Sequence, residues 1–232
     1  MKTIMAIGAH IGDAELTSGI ILATKALQGY KIVTVALTAG ERGNPPTMSV
    51  KDYRIQKVNE ANKFVEELGF ENEAIVFDVP DGELVDDESI KFKLAEIIRK
   101  YKPSMIFAHW KNSLHKDHKM AHKISIDAQF FAGIDMGDKV KGDRCWAPMY
   151  FAENWEDMQG FVPYNYFICS EEGYKLWERA IQNHWFVMNS SSFKYFDYYT
   201  HLAVVRGCLA KSKYAQCATL LEHQKFIRLD YE

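Results

Sequence analysis

Thr3-Ile4-Met5-Ala6-Ile7-Gly8-Ala9-His10-Ile11-Gly12-Asp13-Ala14-Glu15-Leu16 opens with an apolar β-type run and turns at Gly8. It then presents His10 and Asp13 just before a helical pattern begins. An almost continuously apolar strand followed by a helix is how a buried parallel strand reads. The same pairing recurs down the chain. Strands are expected at Thr3–Gly8, 31–38, 73–79 and 104–108. Helical spacing links Leu16, Ile20, Ala23 and Leu27, then Val58, Ala61, Phe64 and Val65, then Ile90, Leu94, Ile97 and Ile98. Alternation of this kind predicts an α/β fold, a Rossmann-like, doubly wound and mostly parallel sheet covered on both faces.

Past residue 146 the pattern changes. Strands are expected at 148–152 and 164–169 and helices at 171–183 and 196–209, with no linker-like tract before them. The chain is therefore read as one domain over 1–232, a core of about 1–146 with a C-terminal α+β extension of about 147–232. The polar, glycine-containing segment 133–143 reads as the most mobile loop. Trp155, Trp177, Trp185 and the 193–199 stretch read as core, with a sugar-stacking wall or an oligomer contact as the alternative.

With 232 residues and a net charge of −3, the chain lacks the basic surface a nucleic-acid or anionic-membrane binder needs. No apolar run approaches the ~18–20 residues that span a bilayer, and the first residues lack a secretory h-region. Four scattered cysteines without a C-x-x-C pair are expected as reduced thiols in a cytoplasmic protein.

Ligands of open parallel sheets bind beyond the carboxyl ends of the strands. After strand one stand His10 and Asp13; after strand two, Thr38, Glu41 and Arg42; after strand three, Asp78, Asp81 and Glu83; after strand four, His109, His115, Asp117 and His118. Two imidazoles and a carboxylate with a position left for water make a catalytic divalent site. His118 with His122, four apart on a helix, is a rival pair without a third ligand of its own. A dinucleotide site is excluded by the first turn, Gly8-Ala9-His10-Ile11-Gly12, which is not G-x-G-x-x-G.

Together the clusters resemble the PIG-L/LmbE de-N-acetylases. The family's A-H-P-D-D-x-E is matched by Ala9-His10-Ile11-Gly12-Asp13-Ala14-Glu15, and its H-P-D-H by His115-Lys116-Asp117-His118. Leu37-Thr38-Ala39-Gly40-Glu41 is similar to its L-T-x-G-E stretch. Arg206-Gly207 with Tyr214-Ala215-Gln216 is similar to a late R-G…Y-A-E stretch. The resemblance implies His10, Asp13 and His118 as ligands of one divalent ion, zinc with ferrous iron as the alternative. It implies His115 as electrophile or acid, steadied by Asp117. Glu41, Arg42 and Arg54 are the expected substrate contacts, although Lys57 fits the family's helical arginine as well as Arg54 does. The substrate implied is an N-acylated amino sugar or its conjugate, and the protein a homo-oligomer.

One departure bears on chemistry. Gly12 stands where the family has its general base, and losing a positioned base costs ~10²–10⁴-fold in rate. The expectation is a slow metal-dependent deacetylase, with a silent N-acetyl-sugar-binding protein as the alternative. On this reading Gly12→Asp raises deacetylase activity, unless Asp78 or Asp81 supplies a relocated base.

Overall fold

The computed structural model describes residues 1–225. In chain order it runs β1 (Thr3–Gly8), α1 (Asp13–Thr17), α2 (Gly19–Leu27), β2 (Lys31–Ala36), α3 (Val50–Leu68), β3 (Glu73–Val76), α4 (Glu88–Tyr101), β4 (Met105–His109) and α5 (Lys116–Gly133). There follow β5 (Met149–Ala152), β6 (Asn165–Cys169), α6 (Glu171–Ile181), α7 (Trp185–Asn189), α8 (Tyr195–Leu209) and β7 (Tyr214–Thr219).

All six β1 residues are buried, as a central strand covered on both faces requires. The sheet order is β3-β2-β1-β4-β5-β7-β6. The first five strands are parallel, and β7 runs antiparallel between β5 and β6. The chain leaves β1 toward β2 and β3, then returns to lay β4 on the other side of β1. That reversal opens a crevice at the carboxyl ends of β1 and β4, the place where doubly wound sheets hold ligands.

Helix starts follow the local chemistry. Ser49, Asp87 and Ser170 accept backbone N–H bonds at the first turns of α3, α4 and α6. At α5 the cap is His115, whose Nδ1 accepts from the Asp117 amide at 3.1 Å. Helix α6 crosses α2 closely because Gly173 has no side chain: a Cβ there would lie 2.1 Å from Thr24 Oγ1.

One core cluster packs α4 and α5 on one face of the sheet, and a second packs α2, α6 and α8 on the other. The C-terminal third thus completes the same sheet. Its late motif braces the fold: Arg206 grips the buried Glu153 carboxylate. Gln216 Oε1 accepts from the amides of Ile20 and Ile21 while its Nε2 donates to Leu16 O.

Segment 133–143 departs from the expectation of a free loop. The buried Arg99 guanidinium donates to the carbonyls of Phe131, Ala132, Ile134, Val140 and Gly142, which ties the segment to α4. Among the described residues, no helix is long and apolar enough to cross a membrane, and all four cysteines are free thiols.

Candidate metal centre

The turn after β1 depends on Gly12, whose φ of +106° is open to glycine and strained for other residues. Its amide donates to Glu15 Oε2 at 3.0 Å, and the His10 amide donates to Asp13 Oδ2 at 2.8 Å. This folds Asp13 back toward the end of β1. Across the crevice, the first turn of α5 brings up His118. Asp13 Oδ2 then lies 3.3 Å from His10 Nδ1 and 3.5 Å from His118 Nε2. Tetrahedral ligands bound at about 2.0–2.2 Å stand roughly 3.3–3.6 Å from one another. Asp13 Oδ2 is thus within reach of both rings, and the groups whose donor atoms lie close enough together for one ion overlap here: Asp13 with His109 and His118, His10 with His115 and His118, and His10 with Asp81 and Asp117.

Behind them is a supporting layer. The fully buried Asp157, on a short turn after β5, lies 3.0 Å from His109 Nδ1 and 3.2 Å from His118 Nδ1. A proton on His118 Nδ1 leaves the Nε2 lone pair for a cation. Burial alone would raise the Asp157 carboxyl, but the bonds from His109 and His118 outweigh it and hold it down at about 2. His118 itself is lowered to about 4 by burial and by the neighbouring His109. On the other side, His10 Nε2 lies 3.1 Å from Asp81 and 3.5 Å from Asp117.

His109 Nε2 meets two contradictory demands. The Ala9 amide donates to it at 3.1 Å, which needs a lone pair, and Asp13 Oδ2 lies 3.1 Å away, which needs a proton. Without a cation the carboxylates dominate, and His109 is raised to about 9 despite burial. A cation on Asp13 would remove the second demand and leave a neutral ring bonded to Ala9 and Asp157.

Asp157→Asn is expected to weaken metal affinity ~10–100-fold, the usual effect of losing such a partner. Competition with a chromogenic chelator measures it, and an unchanged affinity would remove Asp157 from this role.

The donor atoms open into a cavity of about 890 Å³. His115 lines it. Because its Nδ1 accepts from a backbone amide, the proton of the neutral ring sits on Nε2. Burial, then the nearby His10, lowers its pKa and favours that neutral form. The Asp117 carboxylate does not hold His115. It accepts from the Gly82 amide at 2.7 Å and faces His10, so it is the Asp117 amide that fixes the ring.

The expected substrate contacts divide. Arg42 lines the cavity and pairs with Glu83. Glu41 and Arg54 lie behind the wall: Glu41 accepts from the Asp81 amide, and Arg54 binds Glu41, Phe77 O and Asp78. The cation that α3 presents to the cavity is Lys57.

Of the relocated bases, Asp78 is exposed and paired with Arg54, while Asp81 lies in the wall beside His10. His122 turns away, its Nδ1 2.7 Å from His109 O, which rules out the His118–His122 pair. The aromatic residues divide between the core and the cavity wall. Trp177 is core, and Trp155, Trp185, Phe186 and Tyr195 wall the cavity.

Phe186 changes the meaning of Gly12. A Cβ at position 12 would stand 2.3 Å from Phe186 Cζ and 2.6 Å from Cε1. The ring fills the space into which a base at that position would project, so Gly12→Asp cannot simply restore one. Glu15 is no substitute. It is buried outside the cavity lining, and burial outweighs its backbone bonds to push it to about 7.

Sequence reading assigned no role to Asp157, Phe186 or Glu156. Asp157 and Glu156 follow β5 and answer to the same carboxyl-end rule as the residues after strands one to four. Phe186 carries no such signal.

A model of the PIG-L family, described as GlcNAc-PI de-N-acetylase, matches residues 5–129. The 4-oxalmesaconate hydratase of Pseudomonas putida KT2440 is 28% identical over 223 residues, 90% of this chain and 81% of that protein. Among solved structures, GalB, the 4-carboxy-2-hydroxymuconate hydratase from P. putida KT2440, aligns with a TM-score of 0.85 at 24% identity. It covers 100% of this chain and 99% of its own. The N,N′-diacetylchitobiose deacetylase of Pyrococcus horikoshii aligns with a TM-score of 0.79 at 17% identity, over 95% and 84%. At these identities the structural likeness establishes the fold alone.

Proposed function

Because the chain belongs to the PIG-L family of GlcNAc-PI de-N-acetylase type, we propose that its cavity is a divalent-metal site that adds water to a small organic substrate. The finer reading is hydration of a carbon–carbon double bond conjugated to a carbonyl group in an unsaturated carboxylic acid. One observation carries it: the Phe186 ring stands where the base of a deacetylase would project from position 12. Likeness to a hydratase over 90% of the chain supports the same direction.

A divalent ion held by His10, Asp13 and His118 would supply Lewis acidity to water and to a substrate oxygen. His115, neutral with its proton on Nε2, donates to the substrate carbonyl oxygen as negative charge gathers there. Conjugate addition sends an electron pair onto that oxygen and needs a hydrogen-bond donor, not a strong acid. Deacetylation differs, since the leaving amine must be protonated before the C–N bond breaks, and a neutral imidazole is a poor proton source. Glu156 is the cavity carboxyl left to carry the proton of water to the carbon beside the carbonyl. Burial first, then Asp13 and Asp157, push it up to about 7, so it exchanges protons near neutral pH.

Deacetylation of an N-acylated amino sugar is the second reading. Glu156 favours it too, as a base displaced from position 12. The two are separated by giving the metal-loaded protein a conjugated oxo-dicarboxylic acid or N,N′-diacetylchitobiose. Ultraviolet absorbance and proton NMR follow the first, and amine release the second. The expected result is loss of conjugation without amine release. Amine release with the acid untouched would assign the deacetylase. Sugar binding with no turnover of either would assign the silent binding protein.

A further inference from the structure

Among the described residues, the buried lysines and arginines have partners, with one exception. Lys91 pairs with Asp86, Glu88 and Asp127, Arg99 with five carbonyls, and Arg206 with Glu153. Lys57 is 5% exposed and lines the metal cavity, yet its Nζ has no hydrogen-bond acceptor and no ion-pair partner among the described residues. Its near neighbours are ring faces: Phe186 at 4.5 Å from Nζ to the centroid and Tyr53 at 5.7 Å.

The ammonium reaches the metal end of the cavity. A Cβ built on Gly40 would lie 3.1 Å from Lys57 Nζ and 2.9 Å from His10 Cβ. An ammonium taken out of water without a directly bonded counter-charge is costly. Burial lowers its pKa, while Asp13, Glu60, Asp81 and Glu15 oppose that fall from beyond ion-pair distance.

We propose that Lys57 is the anchor for a substrate carboxylate, which makes the cavity selective for anionic acids over neutral amides. The inference rests on the hydration reading of the same cavity and gives its substrate class a physical determinant. One ammonium matches one carboxylate, whereas a phosphate dianion calls for a fuller set of donors. The anchored group also stands beside the Phe186 ring, which takes up the apolar part of an unsaturated acid.

The test is calorimetric binding of fumarate, inorganic phosphate and N-acetylglucosamine to the metal-free and metal-loaded protein, with Lys57→Met and Lys57→Arg alongside. Fumarate affinity should fall ~30-fold or more in Lys57→Met, as when one member of a buried charge pair is removed. Lys57→Arg, which keeps the charge, should retain most of it. N-acetylglucosamine binding should not respond to either change.

Thermal unfolding checks both variants, and Lys57→Met should be at least as stable as the parent because an unpaired buried charge is gone. Equal fumarate affinity in Lys57→Met, or a wild-type preference for phosphate over fumarate, overturns the proposal. Turnover separates this from the reading beneath it. Lys57-dependent fumarate binding without hydration of any acid keeps the anchor and sinks the hydratase. Hydration at an unchanged KM in Lys57→Met does the reverse.

Discussion

Asp13→Ala is expected to reduce bound metal from about one ion per chain to a small fraction of that, and to take turnover down with it. One oxygen, Asp13 Oδ2, lies within 3.5 Å of ring nitrogens of His10, His109 and His118. It is the only carboxylate in the proposed ligand set, so its removal takes away both a ligand and the charge that balances a dication. Partners that merely orient a ligand are worth ~10–100-fold in metal affinity, and a direct ligand should exceed that. Loss of the ion forfeits several kcal/mol of transition-state stabilisation, ~10³-fold or more in rate.

The fold should persist, because the site lies beyond the strand ends and outside both core clusters. Elemental analysis of protein purified without chelator reads the result, and also decides between zinc and iron. His118→Ala should behave alike. Stoichiometric metal in Asp13→Ala would show that the ion binds elsewhere, with the set His10, Asp81 and Asp117 as the next place to look.

The parts of this molecule that were legible in the sequence are those set by neighbours along the chain. Strands β1 to β5 announce themselves as apolar runs, and the parallel pairing of the first four follows from their alternation with helices. His10, Asp13 and His118 stood out as candidates because they follow β1 or open the helix after β4, and their ligand roles came from the resemblance.

Contacts between distant segments were not. Strand β7, Tyr214-Ala215-Gln216-Cys217-Ala218-Thr219, carries a polar residue at its middle and few bulky ones. That residue, Gln216, is buried because it caps α2, some 195 positions away. Arg54 and Lys57 lie three residues apart on α3, and the choice between them depends on which flank meets α7. Segment 133–143 looks unrestrained until Arg99, on α4, is placed beneath it. The meaning of Gly12 likewise depends on Phe186, 174 positions away, with no local pattern to foretell it.

That contact reverses the expectation attached to the substitution at position 12. Gly12→Asp alone should damage the protein and leave deacetylation no better. At φ +106° any side chain is strained, by about 1–3 kcal/mol. The new Cβ would overlap Phe186 Cζ at 2.3 Å, which adds about 1–3 kcal/mol of overpacking. Together these predict a fall in melting temperature of roughly 5–20 °C for a chain of this size.

The informative variant is therefore the pair, Gly12→Asp with Phe186→Ala. Removing the ring opens the space in which a carboxylate at position 12 faces the metal. On an N-acetyl sugar the pair should exceed the parent by ~10²–10⁴-fold, the usual worth of a placed general base. It should also lose the apolar wall beside Lys57, and with it affinity for unsaturated acids. Phe186→Ala alone should show the second effect without the first. If Gly12→Asp by itself raises amine release, the ring does not occupy the base's place. If the pair holds its metal and still releases no amine, deacetylation lacks more than the base, and the neutral His115 is then the missing acid.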